Sequence, residues 1–155
     1  MSFSVSRRPE FNLFIGGIQG RNDSDILALY RDLTKDFHGM RPRDLLLETF
    51  RLFAIQLGVK RIYAVDDAHK ISRHAYFGKN AAPGLFYDEI WQDRGGVRVA
   101  NTHFELPLAT ARRDLNEVSS KKRSMYRKRY EMLDQIAAAM PQDLRLAERR
   151  KFDAK

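Results

Sequence analysis

The stretch PRDLLLETFRLFAIQLGVKRIYAVDD, residues 42–67, decides the fold. Pro42 stands where the first turn of a helix tolerates proline, and Gly58 stands where helices commonly end. The apolar run over residues 62–65 has the length and continuity of a strand covered on both sheet faces. Because only a short link joins the two segments, the stretch predicts a helix that feeds a strand of a parallel sheet.

The predicted helix over residues 42–57 carries apolar residues on several sides. One stripe consists of Leu46, Phe50, Phe53 and Leu57, and further leucine, alanine and isoleucine residues widen it. A helix that is apolar around most of its circumference is normally buried. We therefore expect this helix to lie in the core.

The other elements are predicted from apolar spacing and turn residues. They are a hairpin over residues 2–15, a helix over 24–37, a short helix over 85–94, a strand pair or an edge strand over 97–108, and a last helix over 120–140 that Pro141 stops. The sequence thus predicts an α/β fold, a mixed small sheet flanked by helices. We expect a single domain over residues 1–140 and a charged tail over 141–155.

Composition limits the class of protein. The chain has 155 residues, 43% of them hydrophobic, which is enough for one domain with a real core. It has no cysteine, which excludes disulfides and thiolate metal sites and fits a reducing cytoplasm. No apolar run approaches the roughly 18 to 20 residues needed to span a bilayer. We expect a cytoplasmic protein, or one held peripherally at the inner membrane.

Positive charge is concentrated towards the C-terminal end. The formal net charge is +8, and residues 112–155 hold thirteen Lys or Arg against seven Asp or Glu. Such a balance favours phosphate-rich or acidic partners, which include nucleic acid, anionic lipid, nucleotide-bearing cofactors and acidic proteins. Nucleic acid is the least favoured of these partners, because the basic run lacks a recognised reading motif.

The last helix begins with an unusual charge pattern. Its first turn favours acids, yet the capping candidates Ser119 and Ser120 are followed by three cations and then a second basic turn. The candidate anion-binding residues here are Lys121, Lys122, Arg123, Tyr126 and Arg127. Either a phosphate binds to them and to the free N–H groups of the helix start, or they form a solvated surface whose acids lie elsewhere in the fold.

A second candidate site is the segment TKDFHGMRPR, residues 34–43. His38 lies one helical turn after Thr34, and Arg41 and Arg43 follow the glycine break. A neutral imidazole beside a hydroxyl and two guanidinium groups predicts a general base with anion clamps. The alternative is that His38 caps the end of a helix, where a cation is favourable. Lys35 is a further candidate for the same pocket.

Two more segments supply pocket candidates. Asp66 and His69 follow the predicted strand directly, and ligands of parallel α/β sheets gather at the carboxyl ends of strands. Gln19 belongs to GGIQG, residues 16–20, which lacks the spacing of a phosphate loop, so its glycines predict a tight turn or a close backbone approach. The spacing of Asp and His residues is too loose to predict a ligand set, so we expect no metal. We find no partner for His74 or His103.

Six segments resemble the VirK/YbjX family of uncharacterised bacterial proteins. They are FIGGIQG, LTKDFHGMRPRDLLL, LGVKRIYAVDDAHK, YDEIWQDRGG, FELP and SSKKRSMYRKRY. The resemblance covers residues 3–133 and corresponds to the C-terminal half of a typical member. It implies an association with virulence, envelope properties and resistance to antimicrobial peptides, and it implies no established reaction.

The order of elements is also similar to that of acetyltransferase-like (GNAT) domains, whose pocket opens where two parallel strands splay. The usual Q/R-x-x-G-x-G turn is missing, and the helix over residues 24–37 is additional.

The candidate sites and the two resemblances lead to two hypotheses about function. One is an acyltransferase-like enzyme with His38 as general base and an anionic donor, such as an acyl thioester on a small molecule or carrier protein. The other is a non-catalytic domain that docks on anionic lipid or an acidic protein.

Overall fold

The computed structural model of the chain describes residues 1–20, 25–73 and 86–152. The chain divides into two compact units. The sheet unit consists of Met1–Arg21 with Gly58–Thr110, and the helical unit consists of Asn22–Leu57 with Ala111–Lys155. The expected division into a domain over residues 1–140 and a tail over 141–155 stays a prediction. His74 lies outside the described residues.

The sheet unit contains a mixed five-stranded sheet in the order β1-β2-β3-β5-β4. The strands β2 and β3 are parallel, and the other neighbours are antiparallel. The strands are β1 (Ser2–Ser6), β2 (Asn12–Gly17), β3 (Arg61–Val65), β4 (Val97–Ala100) and β5 (His103–Leu106). The predicted hairpin, the parallel strand and the strand pair are thereby confirmed, and so is the α/β class.

One face of this sheet carries the core of the unit. Alternate residues of three neighbouring strands are at most 2% exposed: Leu13, Ile15, Ile62, Ala64, Phe104 and Leu106. They lie opposite one another across the ladders, because the side-chain period of a strand is two. The segments that follow the parallel strands β2 and β3 are thereby held at the same end of the sheet.

The helix α3 (Tyr87–Asp93) fastens this end of the sheet with two aromatic side chains. Trp91 is fully buried, and its indole N–H donates to the carbonyl oxygen of Val65 at 2.8 Å. The Tyr87 hydroxyl accepts from the N–H of Ile18 at 2.9 Å and donates to its carbonyl oxygen at 3.0 Å. These three bonds satisfy backbone groups that follow the ladder between β2 and β3, so α3 closes the sheet where these strands end.

The helical unit contains α1 (Ile26–Asp36), α2 (Pro42–Gln56) and α4 (Ser120–Phe152), and α2 contacts both of the others. Of the predicted stripe of α2 only Phe50 is buried, and it is buried together with two of the residues predicted to widen the stripe. Leu46 is 41% exposed and Leu57 is 37% exposed, whereas the buried apolar residues are Leu47, Phe50 and Ala54. The buried stripe still has helical spacing. Since α2 is apolar on several sides, periodicity alone could not choose between neighbouring stripes.

The last helix does not stop at Pro141, as the sequence led us to expect. Helix α4 continues to Phe152 with Pro141 inside it. A proline within a helix removes one backbone hydrogen bond and crowds the preceding turn, at a cost of about 3 kcal/mol. The residues on either side are mostly strong helix formers, such as alanine, leucine, glutamine and arginine, so they continue the helix through this local defect.

Candidate functional sites

The turn between α1 and α2 has left-handed backbone geometry. His38 has φ 53° and Gly39 has φ 77°, and His38 is the only non-glycine residue with positive φ in the described part of the chain. The N–H of Gly39 donates to the carbonyl oxygen of Thr34 at 2.7 Å, which closes the end of α1. A Cβ atom on Gly39 would lie 2.8 Å from the Sδ atom of Met125 in α4, so the turn sits directly on that helix.

Arg129 anchors this turn to α4. Its guanidinium donates from Nε at 3.2 Å and from Nη2 at 2.9 Å to the carbonyl oxygen of His38. The same guanidinium lies over the ring of Tyr126, with its Cζ atom 4.5 Å from the centroid. The half-buried imidazole of His38 makes no hydrogen bond within the described residues. Sequence reasoning missed Arg129, since nothing local links it to a residue 91 positions earlier.

The predicted start of α4 is confirmed. The carbonyl oxygen of Ser119 accepts from the N–H groups of Lys122 and Arg123 at 2.9 and 3.0 Å, which places Ser119 at the N-cap. The first turn contains no acid. The first-turn cations therefore stand where the backbone itself is partially positive.

Four of the predicted anion-binding residues are exposed. Arg41, Lys121, Lys122 and Arg127 form no ion pair with a carboxylate of the described residues, and we call these four residues the basic surface. Lys122 shares a helix face with Met125 and Arg129, because residues at i, i+3 and i+7 line up. The His38 turn, which contacts Met125 and Arg129, thus lies beside the first turns of α4 in the helical unit.

Two other predicted residues of the same turn have local partners. The hydroxyl of Thr34 donates to the carbonyl oxygen of Tyr30 at 2.6 Å, one turn earlier in α1. The ammonium of Lys35 pairs with the carboxylate of Asp32 at 2.8 Å, and both side chains are exposed. The Thr34 hydroxyl therefore bonds within its own helix, and its hydrogen bond does not go to the His38 imidazole.

Two of the predicted arginines are also engaged. Arg43 pairs through Nε with the carboxylate of the adjacent Asp44 at 3.2 Å. Arg123 donates from Nε to the carbonyl oxygen of Leu115 at 2.9 Å and from Nη2 to that of Val118 at 3.3 Å. Arg123 thereby holds the segment that leads into α4, and its remaining donors still point to no carboxylate of the described residues. The predicted roles of these residues stay predictions.

A separate cluster lies in the sheet unit, directly after β3. Asp66 is 2% exposed. Its Oδ1 atom accepts from the backbone N–H of His69 at 2.9 Å and lies 2.8 Å from the Nδ1 atom of the same residue. Its Oδ2 atom accepts from Nη1 of Arg98 at 3.0 Å. Both carboxylate oxygens are therefore satisfied, as burial of a charge requires.

The rest of the cluster ties this loop to α3. The N–H of Asp67 donates to Oδ1 of Asp88 at 2.8 Å, and the N–H of Asp88 donates to Oδ2 of Asp67 at 3.1 Å. Lys70 pairs with Asp67 at 2.8 Å, and Arg98 pairs with Asp88 at 2.5 Å. We call Asp66, Asp67, His69, Lys70, Asp88 and Arg98 the Asp66 cluster.

The buried Asp66 and the partly buried Asp67 are carboxylates at neutral pH. Burial raises the pKa of Asp66, but hydrogen bonds from His69 and Arg98 outweigh it and leave the pKa below its ordinary value. The pKa of Asp67 is lowered in the same way: burial raises it, and the bonds from Lys70 and from backbone N–H groups at the start of α3 more than compensate. Asp66 therefore offers the His69 ring a negative charge.

Sequence reasoning found Asp66 and His69 and missed their partners. Asp88 and Arg98 reach the cluster from 21 and 32 residues away along the chain.

Gln19 is exposed and makes no hydrogen bond within the described residues. The expected close backbone approach at GGIQG fits the structure, since a Cβ atom on Gly17 would lie 3.2 Å from the Tyr87 hydroxyl. His103, which had no predicted partner, lies 2.5 Å through Nδ1 from the Thr102 hydroxyl.

No group of three or more His, Asp or Glu side chains in the described ranges is positioned to hold a metal ion. Within those ranges, no helix has the length and apolar character needed to cross a membrane.

Comparisons with known proteins give a family. A family model described as "Protein of unknown function (DUF535)" matches residues 1–142. The "Uncharacterized protein YbjX" of Escherichia coli (strain K12) is 40% identical over 129 residues, which is 83% of this chain and 39% of that protein. Two "Uncharacterized proteins" of Haemophilus influenzae are 37% and 35% identical, over 84% and 86% of this chain and 43% and 44% of their own length.

The chain thus spans about two fifths of the length of the curated relatives it matches. That this part is the C-terminal half of a longer member stays a prediction. No solved structure matches the chain. The resemblance to the VirK/YbjX family is confirmed, and the chain belongs to the DUF535 family.

Proposed function

We propose that this domain binds clustered phosphate groups through its basic surface, and that this surface docks on anionic lipid without itself taking part in a reaction. The supporting observation is that Arg41, Lys121, Lys122 and Arg127 are exposed without a carboxylate partner in the described residues, around a helix start that has no acid in its first turn. Lys121 and Lys122, which lie in the first turn, each disfavour the start of α4 by about 0.3–1 kcal/mol, and a phosphate bound there offsets this cost.

The arrangement of the cations favours a surface over a single small anion. Successive helical residues are rotated by about 100°, so Lys121 and Arg127 point in widely different directions and lie about 9 Å apart along the axis. One phosphate cannot contact both. A membrane surface contributes about 1 kcal/mol for each nearby Lys or Arg. Four cations would give at most about 4 kcal/mol, and residues on different sides of α4 do not all face one membrane at once. The dissociation constant of this surface alone is therefore about 1 mM or weaker.

The acyltransferase-like enzyme is a second candidate. The observation that favours it is the parallel pair of the sheet, whose ladder ends at Ile15 and Ala64 while β2 continues to Gly17. A short parallel ladder that ends before one of its strands is similar to the start of the acetyltransferase pocket. However, the N–H of Ile18, which follows these glycines, already donates to Tyr87 and is not free to bind a donor phosphate. His38, the proposed base, has no orienting carboxylate in the described residues. The binding domain is therefore the better supported of the two.

Vesicle sedimentation tests the proposal. The full chain is mixed with phosphatidylcholine vesicles, with and without phosphatidylserine, over a range of salt concentrations. We expect binding only to the anionic vesicles, weakened by salt because exposed charges are screened. The double variant Lys121→Glu/Lys122→Glu should lose this binding. The matched control Arg31→Glu/Lys60→Glu changes two exposed cations outside the basic surface and makes the same change in net charge. Equal losses in the two variants would contradict a localised surface.

The same vesicle assay, combined with an acyl-transfer assay, distinguishes the binding domain from the acyltransferase-like enzyme. The variant His38→Gln should bind anionic vesicles like the wild-type chain if the domain only docks. If the wild-type chain transfers an acyl group from a thioester donor and His38→Gln abolishes transfer while binding persists, the enzyme is favoured instead.

A further inference from the structure

The imidazole of His69 is held like that of a catalytic base. Its Nδ1 atom lies 2.8 Å from Oδ1 of Asp66, whose side chain is 3% exposed, whereas the side chain of His69 itself is 50% exposed. A carboxylate at this distance fixes the neutral ring in the tautomer with the proton on Nδ1. The lone pair of the other ring nitrogen, Nε2, is then available to a ligand.

The acid that orients this ring is itself held in place. Arg98 donates to the second oxygen of Asp66 at 3.0 Å and bridges to Asp88, at the start of α3. Its guanidinium also lies over the ring of the buried Phe104, with Cζ 4.6 Å from the centroid. Asp66 cannot turn away from His69 without breaking these contacts, so the ring is oriented in advance.

We propose that His69 is a general base in a catalytic site of the sheet unit that cleaves neutral carboxylic esters. Nε2 takes a proton from a water molecule as the water oxygen forms a bond to the ester carbonyl carbon. The bond from that carbon to the alcohol oxygen then breaks, and the proton passes from Nε2 to the leaving alcohol. Asp66 is the positioning residue, because its charge stabilises the imidazolium that forms between the two transfers.

The charges of the Asp66 cluster indicate the class of substrate. Among the described residues its three carboxylates face the two cations Lys70 and Arg98, so a neutral His69 leaves a small negative excess in the cluster. An anionic substrate is disfavoured there. The acids are all engaged in hydrogen bonds, so none is a free nucleophile, and the nucleophile is water. This site is independent of the basic surface and of the lipid binding proposed for it.

Hydrolysis of p-nitrophenyl acetate, a small neutral ester, tests the reactivity of the ring in the full chain. We expect hydrolysis faster than that by free imidazole at the same concentration. The variant His69→Gln, whose amide can still donate to Asp66, should lower the rate about 10-fold or more. The matched control His103→Gln changes a histidine of the same unit whose partner is the Thr102 hydroxyl, and it should leave the rate unchanged. A rate no higher than that of imidazole, or a rate unaffected by His69→Gln, overturns the proposal.

The positioning role of Asp66 is tested by a separate measurement, the tautomer of the His69 ring. Nitrogen-15 spectra of the imidazole rings should show His69 of the wild-type chain with its proton on Nδ1 when neutral. The variant Asp66→Asn should shift the ring towards the other tautomer and lower the rate of ester hydrolysis about 10-fold. Because that variant can also lose stability, the wild-type spectrum decides: a neutral ring protonated on Nε2 refutes the dyad, whatever the variant does.

Discussion

Replacement of Gly39 by alanine tests how tightly the His38 turn is docked on α4. Two costs combine at this position. The left-handed backbone, φ 77°, costs a non-glycine residue about 1 kcal/mol. The new Cβ atom would also lie 2.8 Å from Sδ of Met125 and 3.1 Å from Nη2 of Arg129. Crowding of this kind adds about 1–2 kcal/mol, because the arginine is held by its bonds to the His38 carbonyl oxygen.

Gly58 provides the matched control. It has nearly the same backbone geometry, φ 71°, but a Cβ atom there would meet nothing within 4 Å. We therefore expect Gly39→Ala to lower the free energy of unfolding by about 2–3 kcal/mol and Gly58→Ala by only about 1 kcal/mol. Urea denaturation followed by circular dichroism measures both.

A double-mutant cycle then isolates the contact with α4. In a Met125→Ala background the nearest crowded atom is gone and Nη2 of Arg129 remains at 3.1 Å, so Gly39→Ala should cost less than in the wild-type chain and somewhat more than Gly58→Ala. If Gly39→Ala costs the same with and without Met125, or no more than Gly58→Ala, the turn is not packed against α4 and the reasoning about the site fails.

Two further predictions concern the sheet unit. Gly96→Ala should lower the melting temperature, because its Cβ atom would lie 2.7 Å from the backbone carbonyl oxygen of Trp91, which cannot move aside as a side chain can; Gly17→Ala, which meets only the Tyr87 hydroxyl at 3.2 Å, should have a smaller effect. The lowered pKa of Asp66 makes stability pH-dependent: its contribution is complete above the ordinary value of 3.8 and is lost as pH falls through the lower folded value. The free energy of unfolding, measured by urea denaturation from pH 6 downwards, should therefore fall with pH, and Asp66→Asn should flatten this dependence; an unchanged slope in that variant would contradict the assignment.

The parts of the fold that were predicted correctly are those encoded by neighbouring residues. The β2 run, the helix after Pro42 and the strand that ends at Val65 each carry their signal within a few residues. The two errors arose where a local signal competes with longer-range packing. Periodicity could not select Leu47 over Leu46 in a helix that is apolar on several sides, and Pro141 did not end a helix whose flanking residues favour it.

In the candidate sites too, residues with a local sequence signal were predicted, and contacts between distant parts of the chain were missed. Lys122 and His38 were recognised because cations at a helix start and a histidine beside a glycine are visible in a short window of sequence. The contact that joins their elements, from Arg129 to the His38 carbonyl oxygen, spans 91 residues, and the link from Arg98 to Asp66 spans 32. Such contacts depend on how elements pack, which a single sequence does not state.

The two proposed sites differ in electrostatics, and this difference distinguishes their activities in one preparation. The basic surface has four unpaired cations among the described residues, so binding to anionic vesicles depends on exposed charge and should weaken steeply between low and high salt. The Asp66–His69 pair is a short contact to a buried carboxylate, and its proposed substrate is neutral, so ester hydrolysis should change little over the same salt range. Lys121→Glu/Lys122→Glu should then remove the salt-sensitive activity alone, and His69→Gln the salt-insensitive one. If one variant removed both activities, the sites would not be independent and at least one assignment would be wrong.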